Sequence, residues 1–135
     1  MRYMLDTNIC IYAIKHKPPA VIDALRAHAL DGIGLSSVSA AELIFGATKS
    51  GSEKNLAALE KFLEPLEIAD FDMQAAHAYG RLRRELERTG QPIGPLDTQI
   101  AAHALSLEVV LVTNNLRELN RVAGLRIENW ADRPR

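Results

Sequence analysis

Val109-Val110-Leu111-Val112-Thr113-Asn114-Asn115 is a run of branched apolar residues closed by small polar ones. Four apolar residues bounded by turn formers are too few for a helix and suit a strand buried on both faces. Before it, beyond the loop Pro92-Ile93-Gly94-Pro95, Ile100, Ala101, Ala104 and Leu105 follow helical spacing. Outward from there the same alternation recurs. Tyr3-Met4-Leu5, Ile33-Gly34-Leu35, Leu66-Glu67-Ile68 and Arg126-Ile127 read as further strands. Between them lie helical stripes: Val21, Ile22, Leu25 and Ala29; Leu56, Leu59, Phe62 and Leu63; and Ala75, Tyr79, Leu82 and Leu86, ended by Gly90 as a C-cap. Strands separated by helices pair in parallel, and helices cover both faces of the sheet. The predicted class is α/β.

The 135 residues, 47% of them hydrophobic, fit one domain over 1–135 with a core that needs no staples. Cys10 is the single cysteine, so no internal disulfide forms, and its neighbours Ile9 and Ile11 make it a buried thiol rather than a nucleophile. The opening shows no basic-then-apolar leader, and no apolar run reaches membrane-spanning length. These features predict a soluble, cytoplasmic protein. A net charge of -1 gives no global attraction to nucleic acid, so any such binding must rest on local basic patches.

In a parallel α/β fold, ligands bind where the strands end. Asp6 follows the first strand, Ser36 closes the second, and Glu42 is expected in the first turn of the next helix. Thr113, Asn114 and Asn115 follow the fourth strand, and Asp97 opens the helix that feeds it. Asp6, Glu42, Asp97 and Asn115 thus reach one edge from four segments. Clustered carboxylates raise one another's pKa unless a cation sits among them. Hard oxygen donors of this kind suit Mg²⁺ or Mn²⁺ and a phosphate substrate. Each residue also has a local explanation. Ser39-Ala40-Ala41-Glu42 matches a capping box, Asp97 could serve the helix dipole, and Asp6-Thr7-Asn8 could cap the first helix. Only the joint placement favours an acidic metal site.

Several segments together resemble the PIN-domain ribonucleases, in particular the VapC-type toxins of bacterial toxin–antitoxin pairs. They are Met4-Leu5-Asp6-Thr7-Asn8, Ser37-Val38-Ser39-Ala40-Ala41-Glu42-Leu43 with Gly46, Asp97 with Ile100-Ala101-Ala102-His103-Ala104, and Val112-Thr113-Asn114-Asn115-Leu116-Arg117-Glu118-Leu119. Four motifs in order, from Met4 to about Trp130, are far more specific than any one of them. The resemblance implies a three-layer α/β/α sandwich with a five-stranded parallel sheet in order 3-2-1-4-5. It also implies Mg²⁺- or Mn²⁺-dependent RNA cleavage, with structured RNA such as tRNA as substrate. The implied partners are a cognate antitoxin and a second copy of the chain, as a homodimer or a hetero-oligomer with the antitoxin.

On this reading Asp6 and Asp97 anchor the metal, Glu42 positions or deprotonates the attacking water, and Asn115 and Thr113 hold the hydration shell. Asn115 stands where much of the family has a fourth acid, which leaves one metal or two as alternatives. The same substitution supports the rival of a non-catalytic interaction module. A phosphotransfer receiver or phosphatase would want paired acids and a late lysine, and no lysine follows Leu63. Among basic residues, Arg117 is the candidate for gripping the RNA backbone. Arg81, Arg83, Arg84 and Arg88 read as a solvated helix face with an Arg81–Glu85 pair. His77 and His103 lack zinc-ligand spacing and read as helix residues, and Trp130 reads as an anchor for the C-terminal end.

Overall fold

The computed structural model describes residues 1–132. Strands β1 (Tyr3–Leu5), β2 (Ile33–Ser36), β3 (Glu67–Ala69), β4 (Val110–Val112) and β5 (Ile127–Glu128) form one sheet in the order β3-β2-β1-β4-β5. Every neighbouring pair is parallel. The helices are α1 (Thr7–Lys15), α2 (Pro19–Ala27), α3 (Ser37–Ser50), α4 (Glu53–Leu63), α5 (Met73–Arg88), α6 (Pro95–Leu107) and α7 (Leu116–Leu119). The expected class and strand order are those of the structure.

Two buried clusters explain why β1 and β4 are apolar at every position. Side chains alternate across a strand, so Tyr3, Leu5, Val110 and Val112 face one layer with Ile9, Val21, Leu43 and Leu59 of α1–α4. Met4 and Leu111 face the other, with Ile100, Ala101 and Ala104 of α6 and with Leu119 and Val122. Cys10 is buried in the first cluster, and burial pushes its thiol far above the usual range, which leaves it unreactive.

Strand boundaries shift where a turn takes the first expected residue. Leu66 donates its N–H to Leu63 O, closing the turn after α4, so β3 begins at Glu67 and ends at Ala69. Val109 donates to Ala104 O in the cap of α6, where Glu108 is left-handed at φ 56°, so β4 begins at Val110. Arg126 likewise precedes β5 rather than opening it. Gly90 does end α5 as expected, with φ 68° and Gln91 N bonded back to Leu86 O.

Trp130 anchors the chain's end as the sequence suggested. It is 5% exposed, stacks on His28 at 4.8 Å between centroids and tilts against Tyr3 at 5.1 Å. Its indole N–H donates to Glu128 Oε1 at 3.0 Å. No helix among the described residues is long and apolar enough to cross a membrane.

Candidate active site

β1 passes into α1 with no loop, and Asp6 is the hinge between them. Its backbone is extended, its N–H pairs with Val112 O, and its Oδ1 caps α1 by accepting from Ile9 N at 2.9 Å. The capping explanation and the strand-end placement are therefore both true of Asp6. The residue is buried. Burial raises its carboxyl pKa, and hydrogen bonds from the Thr113 side chain and from Ile9 and Asn8 N–H pull it partly back. Thr113, fully buried at the end of β4, also accepts from Asn115 N at 3.0 Å.

Asp97 sits in the first turn of α6, where Pro95 pre-sets the helix start. The Asn115 side-chain amide donates to Asp97 Oδ2 at 3.0 Å and to Glu118 Oε2 at 3.2 Å. Hydrogen bonds therefore run Thr113–Asn115–Asp97, with Glu118 attached at the same amide and the Thr113 side chain beside Asp6. Asp97 is pushed up to about 6, first by burial, then by its hydrogen bond with Glu118, the Glu118 charge and the Asp6 charge. Glu118 is held below the usual carboxylate range by its bonds to Asp97 and Asn115. Sequence reasoning named Asn115 as the place of a missing acid and passed over Glu118. The available signal was spacing, since a residue three positions on in α7 shares the face of Asn115.

Glu42 is placed differently from the expectation. Ser36, not Ser39, is the N-cap of α3, accepting from Val38 N at 3.1 Å. Glu42 thus lies in the second turn, and no capping box forms. Ser39 is inside the helix, and its buried Oγ has no hydrogen-bond partner. The reason is that β2 runs straight into α3, so the strand's last residue is already the cap. The Glu42 side chain is half-buried on the lip of a groove with Thr7, the residue after Asp6. It does not join the hydrogen-bonded chain of the other acids.

The basic residues sort by partner. Arg83 bonds Glu87 and Tyr79. Arg88, not Arg81, holds Glu85, because Arg88 reaches it with two nitrogens from one turn on. Arg117 is exposed. His103 is buried, its Nδ1 2.8 Å from Ser36 Oγ, and burial lowers its pKa. His77 is exposed on α5.

The donor set is hard oxygen chemistry: the Asp6, Asp97 and Glu118 carboxyls, with Asp97 pushed up to about 6 by burial and by its acidic neighbours. A cation there would remove the repulsion that lifts Asp97. Among the described residues no three acidic, histidine or cysteine side chains stand close enough to hold an ion unaided. An ion bound there would therefore keep water in its shell, as Mg²⁺ does. The residues fit such a cation. In metal-free buffer Asp97 contributes stability that is full below the unfolded value of 3.8 and lost as pH rises through about 6. The Tm of the protein in EDTA should fall over that interval. Asp97→Asn should flatten the fall, and an unchanged pH profile in that variant would remove Asp97 as its source.

The PIN domain family matches residues 3–125 of the chain. The tRNA(fMet)-specific endonuclease VapC of Salmonella typhimurium is 47% identical over 131 residues, spanning 96% of this chain and 98% of that protein. Ribonuclease VapC2 of Haemophilus influenzae is 45% identical over 131 residues, spanning 96% and 98%. The solved structure of VapBC2 from Rickettsia felis, bound to a DNA fragment from its promoter, is similar with a TM-score of 0.91 at 44% identity. It spans 96% of this chain and 99% of that one.

Proposed function

Because this chain belongs to the PIN domain family, we propose that it is a Mg²⁺- or Mn²⁺-dependent endoribonuclease, the toxin of a toxin–antitoxin pair. The observation that carries this reading is the convergence of Asp6 at the end of β1 with Thr113, Asn115, Asp97 and Glu118, the last four joined by hydrogen bonds. Asp6 and Asp97 would hold the cation, and Glu118 would add a carboxylate at its edge. When bound, the cation lowers the pKa of water and offsets charge building on the phosphoryl oxygens. Thr113 and the α1 N–H groups fix the Asp6 carboxylate in one orientation. Asn115 ties Asp97 and Glu118 together by donating to both. Glu42, outside that network and beside Thr7, is the group left to take a proton from the attacking water. Arg117, exposed two residues after Asn115, would hold the RNA backbone.

The substrate class is RNA with tRNA foremost, as the name of the Salmonella typhimurium relative suggests. An antitoxin would restrain the enzyme by covering the acidic cleft with a basic side chain. The exposed apolar side chains Phe45 and Met73 favour assembly beyond a monomer, with a second copy or with the antitoxin. The module without turnover loses its motive, because Glu118 brings a carboxylate to the place where Asn115 lacks one.

The pure protein incubated with total RNA tests this reading. Cutting at defined bonds is expected with Mn²⁺ and none with EDTA. Expressed alone, the protein should arrest growth, and a co-expressed antitoxin should relieve the arrest. Normal growth at high expression of protein that cuts RNA in vitro would end the toxin assignment while leaving the nuclease intact.

A further inference from the structure

A groove of about 400 Å³ separates α5 and α6 from the segment after α7. Leu82 and Leu105 line it together with Arg81, Arg121, Gln91, Ser106 and Glu85, whose charge is met by Arg88. Arg81 and Arg121 come from different elements and are set differently. Arg121 is fixed, donating to Pro92 O at 3.0 Å. One end of the groove therefore adjoins the loop that leads into α6 and Asp97. Arg81 has lost the acid one turn along its helix, since Glu85 is held by Arg88.

The acidic site repels a polyanion, and the chain's net charge of -1 does not offset that. Affinity for RNA must come from cationic ground nearby. Guanidinium groups bind phosphate oxygens with two parallel N–H bonds. An apolar lining suits the face of a base, and the Gln91 amide and Ser106 hydroxyl can meet a base edge. Unpaired nucleotides are the part of an RNA that can be splayed into such a slot. We infer that the groove is a nucleotide subsite. It would take an unpaired base near the cut bond on its leucine lining, with Arg81 and Arg121 on the adjoining phosphates. The inference rests on the ribonuclease reading and adds to it the place on the chain that holds an unpaired nucleotide. A protein segment as occupant is the competing outcome.

Binding of a short labelled oligouridine strand, and of a paired RNA duplex of equal length, can be followed by anisotropy in EDTA across a KCl series. Three variants serve: Arg81→Gln, Ala123→Trp to fill the groove, and Arg84→Gln as a control on α5 outside it. The wild type should prefer the single strand. Arg81→Gln should weaken single-strand binding about fivefold and reduce the salt slope by about 0.7, one phosphate contact. Ala123→Trp should weaken it comparably, whereas Arg84→Gln should change neither quantity. In cleavage assays with Mn²⁺, Arg81→Gln should raise KM and leave kcat near the wild-type value. Wild-type binding and slope in Arg81→Gln, or equal affinity for strand and duplex, would overturn the subsite. So would a loss of partner-protein binding in Arg81→Gln with RNA binding intact. A wild type that cuts no RNA with Mn²⁺ would instead overturn the ribonuclease reading.

Discussion

Asp6→Asn is expected to reduce RNA cleavage by about a thousandfold or more, roughly 4 kcal/mol of transition-state stabilisation, while the protein remains folded. The carboxylate has two roles, and the substitution separates them. As an N-cap, Asp6 supplies one acceptor to Ile9 N, and asparagine serves equally well in that role. As a member of the acidic cluster it supplies negative charge, which asparagine lacks. Burial raises the Asp6 pKa, so removing the charge relieves desolvation in the metal-free protein. The Tm in EDTA should therefore stay level or rise. Asp6→Ala also removes the cap and should lose about 1 kcal/mol of stability, so comparing the two variants isolates the chemistry. Asp97→Asn should match Asp6→Asn in cleavage, because an amide can keep the contact with Asn115 but cannot anchor a cation as strongly. Wild-type rates in either variant, measured with Mn²⁺ on the same RNA, would remove that residue from the site.

Gly34→Val is expected to cost about 3 kcal/mol of stability, a fall in Tm of roughly 10 °C for a domain of this size. Gly34 pairs with Glu67 in the β2–β3 register and with Met4 of β1. A Cβ at Gly34 would run into the backbone carbonyl oxygen of Glu67 and would stand 2.5 Å from the Met1 side-chain terminus. The methionine terminus can move, but the carbonyl belongs to the strand backbone and cannot move without parting β2 from β3. Gly34→Ala should show a smaller loss of the same sign. Thermal or urea melts in the presence of EDTA measure both without interference from metal binding. A Gly34→Val protein as stable as the wild type would mean that the two strands can separate at little cost.

The alternation of short apolar runs with helical stripes was sufficient for the parallel sheet, because a strand buried on both faces must be apolar throughout. Val109–Val112 and Tyr3–Leu5 could hardly be anything else. The placement of Asp6, Asp97 and Thr113 at the strand ends followed from the same pattern, since topology puts all strand ends on one edge. Three matters depended on particular hydrogen bonds that hydrophobic periodicity does not report. Leu63 and Ala104 take the N–H groups of Leu66 and Val109 into turns, which sets where β3 and β4 begin. Ser36 caps α3, so Glu42 sits a turn further along the helix than a capping box would place it. Asn115 presents its amide N–H to Asp97 and Glu118, 18 and 3 residues away. Periodicity reports which face of an element is buried. Which atom of a polar side chain meets which neighbour is decided only when the packed layers fix the distances between elements. That is why Glu118 became part of the candidate site only in the folded chain.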